Sequence, residues 1–268
     1  MWTTSNRREV FSLDPIGFAR ILLSLVMLGY TSWVDMRTRE IYDLIWLVFG
    51  ALGLVIDAYE VYAGALPLWG LGVSLAFSAA VSLLLGYMGL FGGADVFAFI
   101  TMAILNPYKP RGVNPWLGLV SIVYPLSLFS NSALAGVSFA IVLLLRNLLV
   151  SLRGRQLFSD YGTSPLWRRL VLMATGVKVD IRSVRGPPFQ YPLETLSDGG
   201  TERRLIVMPD IQDDDGAEEV FRKLKEHGAT EVWVSQTLPF LLFIFIGYIV
   251  TLVIGDIALY SLVGLLSL

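Results

Sequence analysis

The chain has 268 residues, of which 55% are hydrophobic and 16% are charged. Soluble globular chains are roughly 45 to 50% apolar and about 25% charged, so this composition indicates an integral membrane protein. The 20 Lys and Arg residues nearly balance the 22 Asp and Glu residues, which argues against a protein that binds nucleic acid. The lack of cysteine excludes a thiol nucleophile, and the single histidine, His227, disfavours a multi-histidine metal site. We therefore expect no metal and no cofactor.

The first half of the chain contains three segments that are long and apolar enough to cross a bilayer. The first covers residues 15–34 and is followed at once by the charged segment 35–40. The second follows directly and becomes polar at Asp57 and Glu60, which we expect to be charges on the outer surface. The third lies within residues 61–94, where no charged residue occurs.

Three more apolar segments follow in the second half. The fourth covers only residues 95–106, about 18 Å of helix, so either the bilayer is thin there or its polar end is buried in protein. The fifth covers about 124–150 and the sixth about 238–255. The last 12 residues are apolar but too few to cross, which indicates an interfacial or re-entrant segment.

Charge is concentrated in one part of the chain. Residues 151–236 hold 12 of the 20 basic residues and 13 of the 22 acidic residues. Within this polar insert, residues 177–184, 204–208 and 231–234 have strand composition, and residues 217–227 have helical spacing. Together these segments indicate a small α+β domain.

The sequence therefore predicts an α-helical polytopic membrane protein of about six transmembrane helices, with a small soluble α+β domain inserted between helices 5 and 6. The predicted domains are a membrane body at 1–150, a cytoplasmic insert at 151–236, and a last span with an interfacial C-terminal segment at 237–268. Lys and Arg accumulate on the cytoplasmic side of membranes. Arg37, Arg39 and the insert favour an N-terminus outside the cell, although Arg7 and Arg8 argue for the reverse.

Two acids, Asp35 and Asp95, stand directly against uncharged spans, and the predicted topology puts them on the same membrane face. Alone, Asp35 could be an interfacial charge at a helix end, and Asp95 could cap a helix N-terminus. As a pair they suit aspartyl protease chemistry, in which two carboxylates share one proton. Gly92 and Gly93 precede Asp95, and their lack of a Cβ atom would let a partner helix or an extended substrate approach closely.

Both acids lie in segments that resemble a known family. The segment before the second acid, Gly92-Gly93-Ala94-Asp95, resembles the motif of GxGD-type intramembrane aspartyl proteases. The segment Asp35-Met-Arg-Thr-Arg-Glu-Ile41, followed by Tyr-Asp43-Leu-Ile-Trp46, resembles archaeal preflagellin peptidases and type IV prepilin peptidases. The resemblance covers most of the chain and continues to Ile254-Gly255-Asp256, although Ala94 stands where the commonest motif has glycine.

The resemblance implies a membrane-embedded aspartic endopeptidase that removes short basic leader peptides from archaeal flagellin or type IV pilin-like precursors. It implies that Asp35 and Asp95 are the catalytic residues, supported by the glycine motif. The active site would face the cytoplasm of a multi-pass cell-membrane protein, and the partners would be the precursors and membrane lipid. Glu40 and Asp43 lie close enough in sequence to bind a substrate lysine, while a solvated role at a helix start is the alternative.

Three alternatives remain open. A proton-coupled transporter could use intramembrane aspartates, but such proteins usually show internal repeats and the chain has none that we can find. A membrane scaffold could present the polar insert without catalysis. A presenilin-like intramembrane protease is the nearest enzymatic rival, but the Pro-Ala-Leu motif of those enzymes is missing.

Overall fold

The computed structural model describes residues 14–161, 164–197, 202–211, 213–235 and 240–267. The chain divides into two compact units. The first unit comprises the described residues of Met1–Ala135 and Pro239–Leu268, and the second comprises those of Gly136–Leu238. Arg7, Arg8 and the predicted start of the last span at residue 238 lie outside the described residues.

The first unit is helical. Its elements are α1 (Pro15–Thr38), α2 (Asp43–Tyr62), α3 (Leu68–Tyr87), α4 (Gly93–Leu105), the beginning of α5 (Tyr124–Leu152), and, after the second unit, α8 (Phe240–Val253) and α9 (Ile257–Leu266). Helices α1, α2, α3 and α5 are each long and apolar enough to cross a membrane. Helices α8 and α9 form a pair bent by 56°, which could make a fifth span. The chain is thus a multi-pass membrane protein, and α1, α2, α4 and α5 begin within two residues of the predicted starts.

The short helix α4 lies at the centre of the first unit. It packs against α2 and α3 and also contacts α1 and α8, so residues on most of its sides are buried. Gly53 of α2 leaves room for Leu105 of α4, because a Cβ atom at Gly53 would approach the Leu105 side chain to 3.2 Å. The polar residue after α4, Asn106, is fully buried, donates to Ser24 Oγ and accepts from the Tyr248 hydroxyl. A helix enclosed by other helices need not match the bilayer thickness. Of the two explanations for the short fourth segment, the structure therefore supports burial of its polar end in protein.

A buried ionic cluster joins α1 to α2, and it corrects the expectation that Asp57 and Glu60 are outer-surface charges. Arg20 donates to Asp57 and to Glu60, each at 2.6 Å, and also to the Leu105 carbonyl at 2.7 Å. All three charged residues are buried. The expectation was wrong because Arg20, a single basic residue inside an apolar run, needs carboxylates beside it in an apolar environment.

Asp256 has a structural role at the break between α8 and α9. It accepts hydrogen bonds from Ser127 at 2.7 Å and Ser130 at 3.1 Å, and it caps α9 through the Leu259 N–H at 2.9 Å. Gly255 beside it has φ +107°, a conformation that a side chain would strain. These bonds connect the start of α5 to the bent pair.

The second unit is a small α+β assembly. It contains the end of α5, α6 (Leu166–Thr175), β1 (Gly176–Asp180), a short 3-10 helix (Ile181–Ser183), β2 (Glu194–Leu196), β3 (Arg203–Leu205), α7 (Asp214–Glu226) and β4 (Glu231–Ser235). Strands β1 and β4 pair antiparallel, with Val177 opposite Val234, and β2 pairs antiparallel with β3. Helix α7 and strand β4 confirm the predicted helix and last strand. The first predicted strand is shorter than expected because residues 181–183 form the 3-10 helix, and the strand predicted at 204–208 is β3.

The two sheets of the second unit are joined through a buried carboxylate. Glu194 is fully buried, receives two hydrogen bonds from Arg203 at 2.7 and 3.0 Å, and accepts from the Trp233 backbone N–H at 3.0 Å. Asp160 lies near the same arginine and bonds to Lys178 at 3.0 Å. Burial acts to raise the pKa of Asp160, but hydrogen bonds from Ser159 and Lys178 and nearby positive charge outweigh it, so its pKa is lowered.

The Arg20 cluster generates a stability prediction. We expect Arg20→Leu to destabilise the protein by about 3 kcal/mol or more, because it leaves two buried carboxylates without a countercharge. The measurement is thermal or denaturant unfolding of the purified protein in detergent. Arg111→Ala is the control, since Arg111 is half exposed and lies 3.7 Å from Glu60, so its loss should cost less than about 1 kcal/mol. Equal, small effects of both variants would contradict a structural role for the buried pairs.

Candidate active site

Asp35 lies on the buried face of α1, one turn before the helix ends. The buried residues of this helix recur at spacings of three and four, and this stripe includes Arg20, Ser24, Thr31 and Asp35. Asp35 is 8% exposed. Within the described part of the chain, no hydrogen bond reaches its carboxylate, and the charge that acts on it most closely is that of Arg39. A buried acid without hydrogen bonds is costly, which marks Asp35 as a candidate functional residue.

Asp95 lies in the first turn of α4, where it meets the beginnings of two helices. Its carboxylate accepts from the Gly92 backbone N–H at 3.0 Å and from the backbone N–H of Leu241, in the first turn of α8. Phe91 and Phe240 bring these two helix starts together, with ring centroids 4.7 Å apart. The unpaired N–H groups of a helix N-terminus stabilise a carboxylate, so Asp95 does cap α4, as its alternative interpretation predicted.

The structure brings Asp35 and Asp95 to the same end of the helical body. The charge of Asp35 acts on Asp95, and the charge of Arg39 acts on both. The ionic cluster of Arg20 lies 15 residues away along α1, about 22 Å at 1.5 Å per residue, and so belongs to the other end of that helix.

Arg39 is a site residue that the sequence analysis did not single out. It ends α1 with φ 60°, and its backbone N–H donates to the Asp35 carbonyl at 3.3 Å. A residue other than glycine seldom adopts this left-handed conformation, which costs energy and therefore calls for a local reason. The sequence did offer a signal for Arg39: it follows Asp35 by four residues, a spacing at which two side chains are neighbours on a helix.

Gly92 and Gly93 do not provide the close helix contact that we expected. A Cβ atom at Gly93 would meet nothing within 4 Å, and one at Gly92 would lie 3.5 Å from Asp95 Oδ2, an ordinary contact. Neither glycine has a positive φ. Open space in front of Gly93 is compatible with an extended substrate, which was the other expectation. Ala94 follows in α4 and is half-buried against the core.

Glu40 and Asp43 lie in and beside the loop that joins α1 to α2. Both are exposed, and Asp43 is the first residue of α2, where an acid favours the helix dipole. Thr38 Oγ1 donates to the Glu40 carbonyl at 3.2 Å and thus stabilises this loop. The predicted helix-start role of Asp43 is confirmed, and contact with a substrate stays a prediction for both acids. Across the ranges that the structure describes, no three His, Cys, Asp or Glu residues form a group that could hold a metal ion.

Two family models match the chain. The model of the type IV leader peptidase family matches residues 22–145, which include both Asp35 and Asp95. The model described as the archaeal peptidase A24 C-terminus, type II, matches residues 168–257. Together the two models match 214 of the 268 residues, so the chain resembles this peptidase family over most of its length.

Three similar proteins extend over most of the chain, and all are named preflagellin peptidase. The protein from Methanocaldococcus jannaschii is 23% identical over 88% of this chain and 93% of its own length. The protein from Methanococcus maripaludis is 25% identical over 83% of this chain and 89% of its own length. The protein from Methanococcus voltae is 24% identical over 90% of this chain and 96% of its own length. The resemblance inferred from the two aspartate motifs is thereby confirmed.

The open space at Gly93 generates the second prediction. We expect Gly93→Ala to leave the protein folded and up to about 1 kcal/mol more stable, because alanine favours a helix over glycine and meets no neighbour here. The measurement is thermal unfolding in detergent. Gly53→Ala is the matched control and should destabilise, since its Cβ atom would come within 2.8 Å of Ile104. Destabilisation by Gly93→Ala would show that a neighbour does pack there.

Proposed function

We propose that the chain is an aspartic endopeptidase that removes the short basic leader peptide from flagellin or type IV pilin-like precursors. The match to the type IV leader peptidase model supports leader peptide processing, and the three preflagellin peptidases indicate the kind of precursor. The observation that carries the aspartic mechanism is that Asp35 and Asp95 lie at the same end of the helical body, near enough for the charge of one to act on the other.

The proposed mechanism uses the two carboxylates with one shared proton. The ionised carboxylate takes a proton from a water molecule, whose oxygen attacks the carbonyl carbon of the peptide bond. The protonated carboxyl group donates to the carbonyl oxygen, and the tetrahedral intermediate then collapses with protonation of the leaving amine. Arg39 is a positioning residue in this proposal, since its charge lies beside both acids.

We propose that the site faces the cytoplasm of a chain with six spans. Four helices qualify as spans by length and composition, the bent pair α8 and α9 would be the fifth, and the enclosed helix α4 would be the sixth. In this proposed arrangement the C-terminal end of α1, with Arg37 and Arg39, lies on the same side as the polar insert, in keeping with the cytoplasmic excess of Lys and Arg. The cytoplasmic insert at 151–236 belongs to the same proposal.

The dyad generates the third prediction. We expect Asp35→Asn and Asp95→Asn each to lower leader removal by at least about 100-fold, since an amide cannot take part in the shared-proton steps. The measurement is co-expression with pilin-like precursors and detection of the shortened product on a gel. Glu226→Gln, an exposed change on α7, is the control and should cleave like wild type.

Each aspartate variant must elute and unfold like wild type, so that lost cleavage is not lost folding. Substantial processing by either variant would contradict the dyad. Failure of the wild-type chain to process any precursor with a basic leader would contradict the proposed function itself.

The substrate generates the fourth prediction. We expect the double variant Glu40→Gln with Asp43→Asn to raise KM by about 2- to 30-fold with little change in kcat, because two exposed ion pairs at about 0.2 to 1 kcal/mol each are lost. The effect should shrink at high salt, since both acids are exposed. Reversing the basic residues of the leader should raise KM as well. An unchanged KM in both experiments would exclude electrostatic docking of the leader at this loop.

A further inference from the structure

Helix α6 of the second unit presents an apolar face outwards. Leu166, Trp167 and Leu170 are 72%, 56% and 45% exposed, although each is large and apolar. Positions 167, 170, 171 and 174 recur at spacings of three and four, so they share one face, and all four are apolar. A helix on the surface of a soluble domain normally turns polar residues to water. Something other than water must therefore cover this face.

The opposite face of α6 is already occupied. Leu172 and Met173 are buried in the core of the second unit, together with Leu157 and Trp233. Both arginines of α6 are half-buried, with Arg169 5.4 Å from the ring centroid of Phe158 and Arg168 5.5 Å from that of Trp167. The helix has no acidic residue. It is therefore a basic amphipathic helix whose apolar outer face has no partner in the described part of the chain.

Hydrogen bonds connect the C-terminal end of α6 to the last turns of a candidate membrane span. The side-chain amide of Asn147, in α5, donates to the carbonyls of Met173 and Gly176 at 2.8 and 2.7 Å. Asn147 lies five residues before the end of a helix that is long and apolar enough to cross a bilayer. Five residues are about 8 Å of helix, so the C-terminal end of α6 is level with the last turns of this candidate span.

We propose that α6 is an interfacial helix that lies on the bilayer at the face where α5 leaves it. Trp167 and Leu170 insert between the headgroups and the acyl chains, a position that tryptophan favours. Arg168 borders this face and binds the phosphate groups of anionic lipids through its flexible stem. The occupant of the apolar face is thus the lipid surface, and it holds the second unit against the membrane. This inference does not depend on the peptidase function.

The experiment uses the absence of cysteine in the chain. Leu170→Cys and, separately, Glu218→Cys are labelled with a nitroxide in the full-length protein, reconstituted in nanodiscs of phosphatidylcholine and phosphatidylglycerol. Glu218 is exposed on α7 and serves as the aqueous control. For each nitroxide, the rate of collision with oxygen, which concentrates in lipid, is compared with the rate of collision with a water-soluble nickel chelate. Trp167→Cys provides a second position if Leu170→Cys does not fold.

The label at residue 170 should collide several-fold more with oxygen than with the nickel chelate, and the label at residue 218 should show the reverse. Arg168→Glu should shift the label at residue 170 toward water, and more so in phosphatidylglycerol than in phosphatidylcholine alone. Equal nickel accessibility at residues 170 and 218 in both lipids would overturn the proposal. Protection of residue 170 that appears only when a precursor protein is added would also overturn it and assign the face to a protein partner.

Discussion

Every charge inside the helical body of this protein needs a compensating group, because the surrounding hydrocarbon cannot solvate it. Arg20 meets two carboxylates and a backbone carbonyl, Asp256 meets two hydroxyls and the first turn of α9, and Asp95 meets the first turns of α4 and α8. In each case at least one compensating group comes from another helix: α2 for Arg20, α5 for Asp256 and α8 for Asp95. The polar contacts therefore fix which helices lie next to each other, while apolar packing alone would permit many arrangements.

Asp35 differs from these acids. It is buried, it accepts no hydrogen bond from the described residues, and Arg39 is the charge that stabilises it most closely. Incomplete compensation at one acid, near a second acid held by two helix starts, is compatible with a pair of carboxyl groups that share one proton. The same principle thus accounts for the structural carboxylates and distinguishes the pair that we propose to be catalytic. The exposed acid Glu40 lies in the adjoining loop and exposed Asp43 begins α2 directly after it, where a basic leader would reach them from water.

Much of the fold could be predicted from local pattern. The apolar segments around α1, α2, α3 and α5, the helix α7 and the strand β4 follow from the length of apolar runs and from periodicity. The pairing of Arg20 with Asp57 and Glu60 could not be predicted, because it depends on how α1 packs against α2 across 37 and 40 residues of sequence. Helix α6 was missed because apolar residues lie on both its buried and its outer face, so the helical alternation of apolar and polar residues is weak. Strand β2 was missed because a three-residue strand carries little signal. At the site, the two sequence motifs predicted Asp35 and Asp95. The hydrogen bond from Leu241 to Asp95 could not be predicted, because it uses the backbone N–H and does not depend on which side chain stands at position 241.

The central claim is that Asp35 and Asp95 act together on one tetrahedral carbon. The most direct test measures binding of two precursor peptides to the purified protein, one with a hydroxymethylene group and the other with a methylene group at the cleaved carbonyl. The hydroxyl mimics the tetrahedral intermediate, so wild type should bind the first peptide at least about 100-fold more tightly. Asp35→Asn and Asp95→Asn should each abolish that preference. Equal binding of the two peptides by the wild-type protein would contradict the account.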